Sequence, residues 1–253
     1  MSNKRKSTII TGIILIVLTV ILNLIYFLFV GNSQDVISAL FQNLTAVPLD
    51  MLITAIIVKY VIEERDSKNS KSEINMLMGI FFHELGEELL DIFVKSDDGI
   101  DQITKKCIIK KECSDKKYDE FKVVFEQYNY KASIDRIDKE ALKNLLDRNS
   151  DLVVDLISNP MLRENECFTN TVIAVMHLRD ELNDRYKSYN ENKYEENHIN
   201  EDVNYAYKLV ALKWVEYMKY LKENYPKLFE KALINSPFDN RSIEEKERDL
   251  LGN

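Results

Sequence analysis

Two segments of the sequence place a histidine four residues before a glutamate. His83 precedes Glu87 in the first segment, and His177 precedes Glu181 in the second. Residues four apart lie on one face of a helix. Each segment could therefore give an imidazole and a carboxylate to a metal ion held between two helices.

A helical wheel argues against this metal site. At about 100° per residue, His83 lies opposite the apolar stripe formed by Phe81, Leu85 and their neighbours, so we expect it to face outward. Neither His83 nor His177 is the histidine of a Glu-x-x-His motif, which diiron bundles use. We therefore predict no metal ligands and no cofactor, and we interpret His83 and His177 as ordinary polar residues.

Glu88 falls inside the apolar arc on the same wheel, between Phe81 and Leu85. An unpaired carboxylate there would be costly, so Glu88 needs a cationic partner. Arg179 and Arg185 flank the apolar stripe of another predicted helix. We predict a buried ion pair between Glu88 and one of these arginines, which fixes how the two helices pack. The alternative is that Glu88 is a functional ligand or proton site.

The sequence contains none of the motifs that mark common enzymes. There is no nucleophile elbow, Walker loop, glycine-rich dinucleotide turn or Cys-His pair, and the chain has only 6 glycines. Its net charge of -8 argues against nucleic acid as a partner. The 3 cysteines have neither zinc spacing nor an even number for a disulfide framework. We predict no catalytic residues.

Two apolar stretches near the N-terminus predict a membrane hairpin. Residues 8–30 are uncharged and would form about 34 Å of helix, enough for a bilayer core of about 30 Å. The second stretch, 36–62, contains Pro48, and we place its spanning part at 45–62, after a segment that is interfacial, re-entrant or part of the span. Lysine and arginine flank the hairpin but are absent from its turn. This asymmetry predicts a multi-pass protein of the cell membrane with both termini cytoplasmic.

Among the polar residues within these apolar stretches, we single out the amides Asn23, Gln42 and Asn43 and the carboxylate Asp50. Polar groups inside a bilayer are costly and mark contacts between spans or ion pathways. They are candidates for oligomer contact or ion passage. Asp50 also has a plainer interpretation, since it would lie in the first turn after Pro48, where the helix dipole favours an anion.

The remainder of the chain predicts an all-α domain, because glycine and proline are scarce and apolar residues repeat at helical spacing. We divide the chain into a cytoplasmic stub with the hairpin (1–66), a cytoplasmic helical bundle (67–238) and a charged tail (239–253). Residues 190–200 are polar and predict a loop. The clearest stripe follows that loop and contains Val203, Tyr207, Val210, Trp214, Tyr217, Met218, Leu221 and Tyr225.

Three segments carry a resemblance to a known family. They are Gly79-Ile-Phe-Phe-His-Glu-Leu-Gly-Glu-Glu-Leu-Leu90, Tyr220-Leu-Lys-Glu-Asn-Tyr-Pro-Lys-Leu-Phe229 and Asn235-Ser-Pro-Phe238. They resemble an uncharacterised prokaryotic family of two-span membrane proteins with a cytoplasmic helical domain. The resemblance implies a hairpin followed by a helical domain, and it implies no activity.

Two functions are compatible with these features. The first is a membrane-anchored helical interaction or sensing module, in which the bilayer is one partner and the helical domain binds a protein or another copy of the chain. The alternative is a small oligomeric channel or membrane-perturbing effector, whose second span lines a pore with its polar residues. We favour the interaction module.

Overall fold

A computed structural model describes residues 21, 24, 25, 28, 33–163, 165–187 and 193–251. The chain divides into two compact units, Met1–Ser67 and Lys68–Asn253. The described residues are all-α, and they contain no β-strand beyond one isolated bridge between Asp97 and Ala132. The all-α prediction is therefore confirmed.

The helices follow one another along the chain with one π-helical insertion. They are α1 (Ser33–Phe81), a π-helix (Phe82–Gly86), α2 (Glu87–Lys95), α3 (Asp101–Thr104), α4 (Asp115–Gln127), α5 (Lys139–Arg148), α6 (Ser150–Ser158), α7 (Pro160–Arg163), α8 (Glu166–Lys187), α9 (Lys193–Asn224), α10 (Pro226–Ile234) and α11 (Ile243–Leu251).

The structure corrects the predicted localisation. Across the described residues, no helix is long and apolar enough to cross a membrane, which overturns the prediction of a multi-pass cell-membrane protein. In the second predicted span, Asp50 and Lys59 enclose about 8 uncharged residues, which form about 12 Å of helix where a bilayer core needs about 30 Å. The first predicted span, 8–30, lies outside the described residues except at four positions.

The second apolar stretch belongs to α1, which continues through Pro48. The segment before residue 45, which the sequence leaves as interfacial, re-entrant or part of the span, is therefore one helix with the residues after it. Among the four polar candidates, the side chain of Asp50 is described and exposed. Asn23 and the side chains of Gln42 and Asn43 lie outside the described part of the chain.

The hydrophobic core lies in the unit Lys68–Asn253 and is organised around α9. The predicted stripe of α9 is fully or almost fully buried from Val203 to Leu221. The stripe ends at Leu221, and Tyr225, the last residue predicted to belong to it, is 49% exposed. The reason is that Pro226, directly after Tyr225, starts a new helix, α10. The largest fully buried side chains include Trp214, Tyr207, Phe81, Phe82, Phe93, Phe125 and Phe168.

The helix α9 begins earlier than the sequence predicts. Residues from Lys193 onward are helical, although 190–200 were expected to form a loop. Glutamate and lysine are strong helix formers despite their polarity, and this segment packs Ile199 into the core. The charged tail likewise contains the helix α11.

The π-helix changes which residues of its segment face the core. The backbone N–H of Glu87 donates to the carbonyl of Phe82, five residues earlier, so later residues are rotated by about 100° relative to an ideal α-helix. Leu90 and Phe93, which follow the π-helix, are consequently buried. The side chain of Glu88 is 57% exposed.

The predicted buried pair of Glu88 with Arg179 or Arg185 is therefore wrong. Arg148 of α5 donates to Glu88 at 2.7 Å on the surface, while Arg179 donates to Asp180 at 2.6 Å. The side chain of Arg185 lies outside the described part. The wheel failed because it assumed an uninterrupted α-helix through Phe82–Gly86.

Candidate functional site

An open groove of about 440 Å³ lies beside the π-helix. One side is formed by the end of α1 and by the π-helix, and the other by the C-terminal part of α9 and by α10. We call it the π-helix groove. Its lining includes Met76, Ile80, His83, Glu84, Glu87, Tyr217, Tyr225, Leu228 and Lys231.

The walls of the groove are apolar side chains that remain exposed. Met76 and Ile80 lie four residues apart on α1, and Tyr225 and Leu228 lie at the start of α10; all four are about half exposed. Apolar side chains clustered in this way on a surface mark interaction sites. The break at Pro226 places the second pair, because it starts a new helix directly after Tyr225.

The floor of the groove is part of the aromatic core. Tyr217 stacks on Phe82 with ring centroids 4.8 Å apart, and Phe82 in turn packs edge-on against Trp214 at 5.4 Å. Burial, together with the charge of Glu87, raises the pKa of Tyr217 to about 12, so this residue keeps its proton at neutral pH. The floor is therefore fixed by packing and carries a neutral hydroxyl.

The polar end of the groove contains two carboxylates and two basic side chains. Burial raises the pKa of Glu87, an effect that the charges of His83 and Lys231 partly oppose. Within the described part of the chain, the Glu87 carboxylate makes no hydrogen bond and no ion pair. His83 lies 3.9 Å from Glu84, and its side chain is 74% exposed, as the wheel predicts.

This arrangement suits binding better than catalysis. A half-buried carboxylate without a hydrogen-bond donor can receive a cation or a donor from a ligand. The adjacent walls can cover an apolar surface. None of the polar residues here forms the linked nucleophile and base that covalent catalysis requires.

The structure also brings together residues that the sequence pattern alone does not connect. The ligand atoms of Glu181, His198 and Asp202 lie within 4.8 Å of one another, between α8 and α9. His177, which shares its sequence pattern with His83, instead lies with its Nε2 3.7 Å from Asp202 Oδ1. The sequence does contain this pair, since His198 precedes Asp202 by four residues. The spacing was not interpreted as one helix face because His198 lies at the end of the predicted loop.

Comparison with known proteins gives a family without a described activity. Residues 70–234 match the family model described as the C-terminal helical domain of the uncharacterized protein MJ1433. The chain is 36% identical over 241 residues to the uncharacterized protein MJ1433 of Methanocaldococcus jannaschii, covering 95% of this chain and 97% of that protein. No solved structure matches the chain significantly.

Proposed function

We propose that this chain, which belongs to the family of the uncharacterized protein MJ1433 and its C-terminal helical domain, is a helical interaction module whose π-helix groove binds an amphipathic helix of a protein partner. The specific function of the family is unknown. The observation that carries the proposal is the exposed apolar wall beside Glu87, a half-buried carboxylate without a hydrogen-bond donor in the described part.

The apolar walls fit the side-chain spacing of a bound helix. Met76 and Ile80 present one pair of side chains, and the other pair consists of Tyr225, just before α10, and Leu228 of α10. An amphipathic helix inserts residues spaced three and four apart into such a groove. Because the floor belongs to the packed core, we expect it to move little on binding, which lowers the entropic cost.

The charges at the polar end favour a basic partner. A lysine or arginine of the bound helix would pair with Glu87 in a site that the helix itself shields from water. Glu84 also lines this end of the groove and adds a second negative charge. Lys231 lines it too, and its positive charge disfavours a second lysine or arginine of the partner next to it. The net charge of -8 also attracts a basic partner at long range.

The proposal is tested with the full-length chain and synthetic helical peptides labelled with a fluorophore. One peptide has a leucine face and a lysine face, the second has glutamate in place of lysine, and the third is a scrambled leucine-lysine sequence of the same composition. Fluorescence anisotropy should show saturable binding of the amphipathic basic peptide, with the other two at least about tenfold weaker.

Two variants of equal charge separate groove binding from general attraction. Ile80→Glu places a carboxylate on the groove wall and should abolish binding, although it makes the chain more negative. Val154→Glu, at an exposed apolar residue of α6 outside the groove, should leave binding unchanged.

Equal effects of the two variants, or equal binding of the scrambled peptide, would contradict the proposal. Self-association is the competing use of the same surface. It would be shown by sedimentation that depends on protein concentration and is lost in Ile80→Glu, without peptide binding.

A further inference from the structure

Four side chains converge between α8 and α9. His177 and Glu181 lie four residues apart on α8, and His198 and Asp202 lie four residues apart on α9. Each helix therefore presents one imidazole and one carboxylate on one face. The two pairs meet around the carboxylate of Asp202.

The distances are those of groups gathered around a common point. His177 Nε2 lies 3.7 Å from Asp202 Oδ1, and His198 Nε2 lies 3.9 Å from Asp202 Oδ2. Both distances are too long for direct hydrogen bonds, which need about 2.7–3.2 Å. Ligands of a tetrahedral ion with bonds of about 2.0–2.2 Å are separated by about 3.4 Å, so small side-chain rotations would suffice to enclose a cation.

Asp202 carries the strongest indication that a ligand is bound. Its side chain is 14% exposed, and its Oδ2 is a buried atom without a hydrogen-bond partner in the described part of the chain. A buried carboxylate oxygen without a partner is costly. A cation in the space between Asp202, Glu181 and His198 would satisfy this oxygen directly.

We infer that His177, Glu181, His198 and Asp202 bind a divalent transition-metal ion, with Zn²⁺ as the best match. Imidazole and carboxylate ligands in equal number suit zinc and neighbouring divalent ions, and two carboxylates balance the charge of the ion. The bound ion joins α8 to the N-terminal part of α9. This site is separate from the π-helix groove and does not depend on the proposed function.

The test is titration of the full-length chain with ZnCl₂ by isothermal calorimetry, after removal of metal with a chelator. One Zn²⁺ should bind per chain, and the melting temperature should rise in its presence. Asp202→Asn and His198→Gln should each weaken binding at least about tenfold and reduce the increase in melting temperature. The imidazole of His198 is half exposed, so its replacement should not impair folding, which circular dichroism checks.

His83→Gln is the matched control, because His83 also precedes a carboxylate by four residues but faces no second pair. It should leave Zn²⁺ affinity unchanged. Absorption of the Co²⁺ form tests the ligand set, since an intense near-ultraviolet thiolate band would assign the metal to cysteine. That band, absence of Zn²⁺ binding at micromolar concentration, or equal weakening by His83→Gln would each overturn the inference.

Discussion

The π-helix groove and the cluster between α8 and α9 start from the same sequence pattern and differ in what faces it. Each of the 3 histidines in the chain lies four residues before a carboxylate. Next to His83 and Glu87, the facing helices supply tyrosines and Lys231, none of which ligates a cation well. Next to His198 and Asp202, the facing helix supplies a second imidazole and a second carboxylate.

The difference shows that spacing along one helix defines only half of a site. A single pair is equally compatible with an exposed polar surface and with a metal ligand. The neighbouring helix decides between them, and neighbours are set by packing that involves residues far apart in sequence. The groove is also built on the aromatic core, whereas the histidines of the cluster lie about half exposed at the surface.

The sharpest test of this comparison is a change in stability. Phe82→Ala should lower the free energy of unfolding by about 3–5 kcal/mol, because the ring is fully buried against Tyr217 and Trp214. His198→Ala in metal-free protein should cost less than about 0.5 kcal/mol, because its imidazole is exposed. Urea unfolding of both variants measures the difference. Similar losses would mean that the groove does not rest on the core as described.

The second prediction tests the π-helix itself through two glycines. A Cβ atom on Gly86 would lie 2.6 Å from Cδ1 of Phe82 and 2.9 Å from Cε1 of Phe81, and both rings are too buried to move aside. Gly86→Ala should therefore destabilise the protein by about 1–3 kcal/mol. Thermal unfolding monitored by circular dichroism measures the effect.

Gly79 provides the control, because it is also helical but has space. A Cβ atom there meets only Tyr217 Cε2, at 3.9 Å, which is an ordinary contact. Gly79→Ala should therefore stabilise the protein by about 0.5–1 kcal/mol, as alanine does in a helix. If both substitutions stabilise the protein, the rings of Phe81 and Phe82 do not pack against Gly86 as closely as described.

The sequence predicts the parts of the fold that depend on local pattern. The all-α class and the buried stripe of α9 follow from apolar spacing alone, and the exposure of His83 follows from the same wheel. The one-residue insertion at Phe82–Gly86 leaves no such signal, since these residues are compatible with either helix type. The insertion rotates the rest of that helical segment, so the wheel placed Glu88 in the core in error, although Leu89 is buried as predicted.

The two sites depend on contacts between segments that are distant in the sequence, and these were not predictable. Nothing local indicates that Tyr225 and Leu228 face Met76 across a groove. The pair His198 and Asp202 was missed for another reason, since the polar residues before Ile199 are typical of a loop. The segment packs Ile199 into the core, and this tertiary contact adds to the helix propensity of its glutamates and lysines.

The smallest predicted effect compares Glu87 with its neighbour Glu88. The pKa of Glu87 is raised, mainly by burial, so the folded state binds this proton more tightly than the unfolded state does. The ionised carboxylate therefore lowers stability at neutral pH, and that loss disappears as the pH falls through the raised pKa toward the unfolded value of about 4.3. Glu87→Gln should stabilise the protein at pH 7 by less than about 1 kcal/mol, since water partly screens the site.

The advantage of Glu87→Gln should decline between pH 7 and pH 4, and urea unfolding at several pH values measures it. Glu88→Gln is the matched control, because it removes only an exposed ion pair with Arg148 and should cost less than about 0.5 kcal/mol. An equal gain from Glu88→Gln would mean that the effect comes from removing a negative charge and not from burial. A loss from Glu87→Gln that grows toward pH 7 would mean that the Glu87 carboxylate has a partner in the free protein. The argument that an amphipathic helix supplies that partner would then lose its basis.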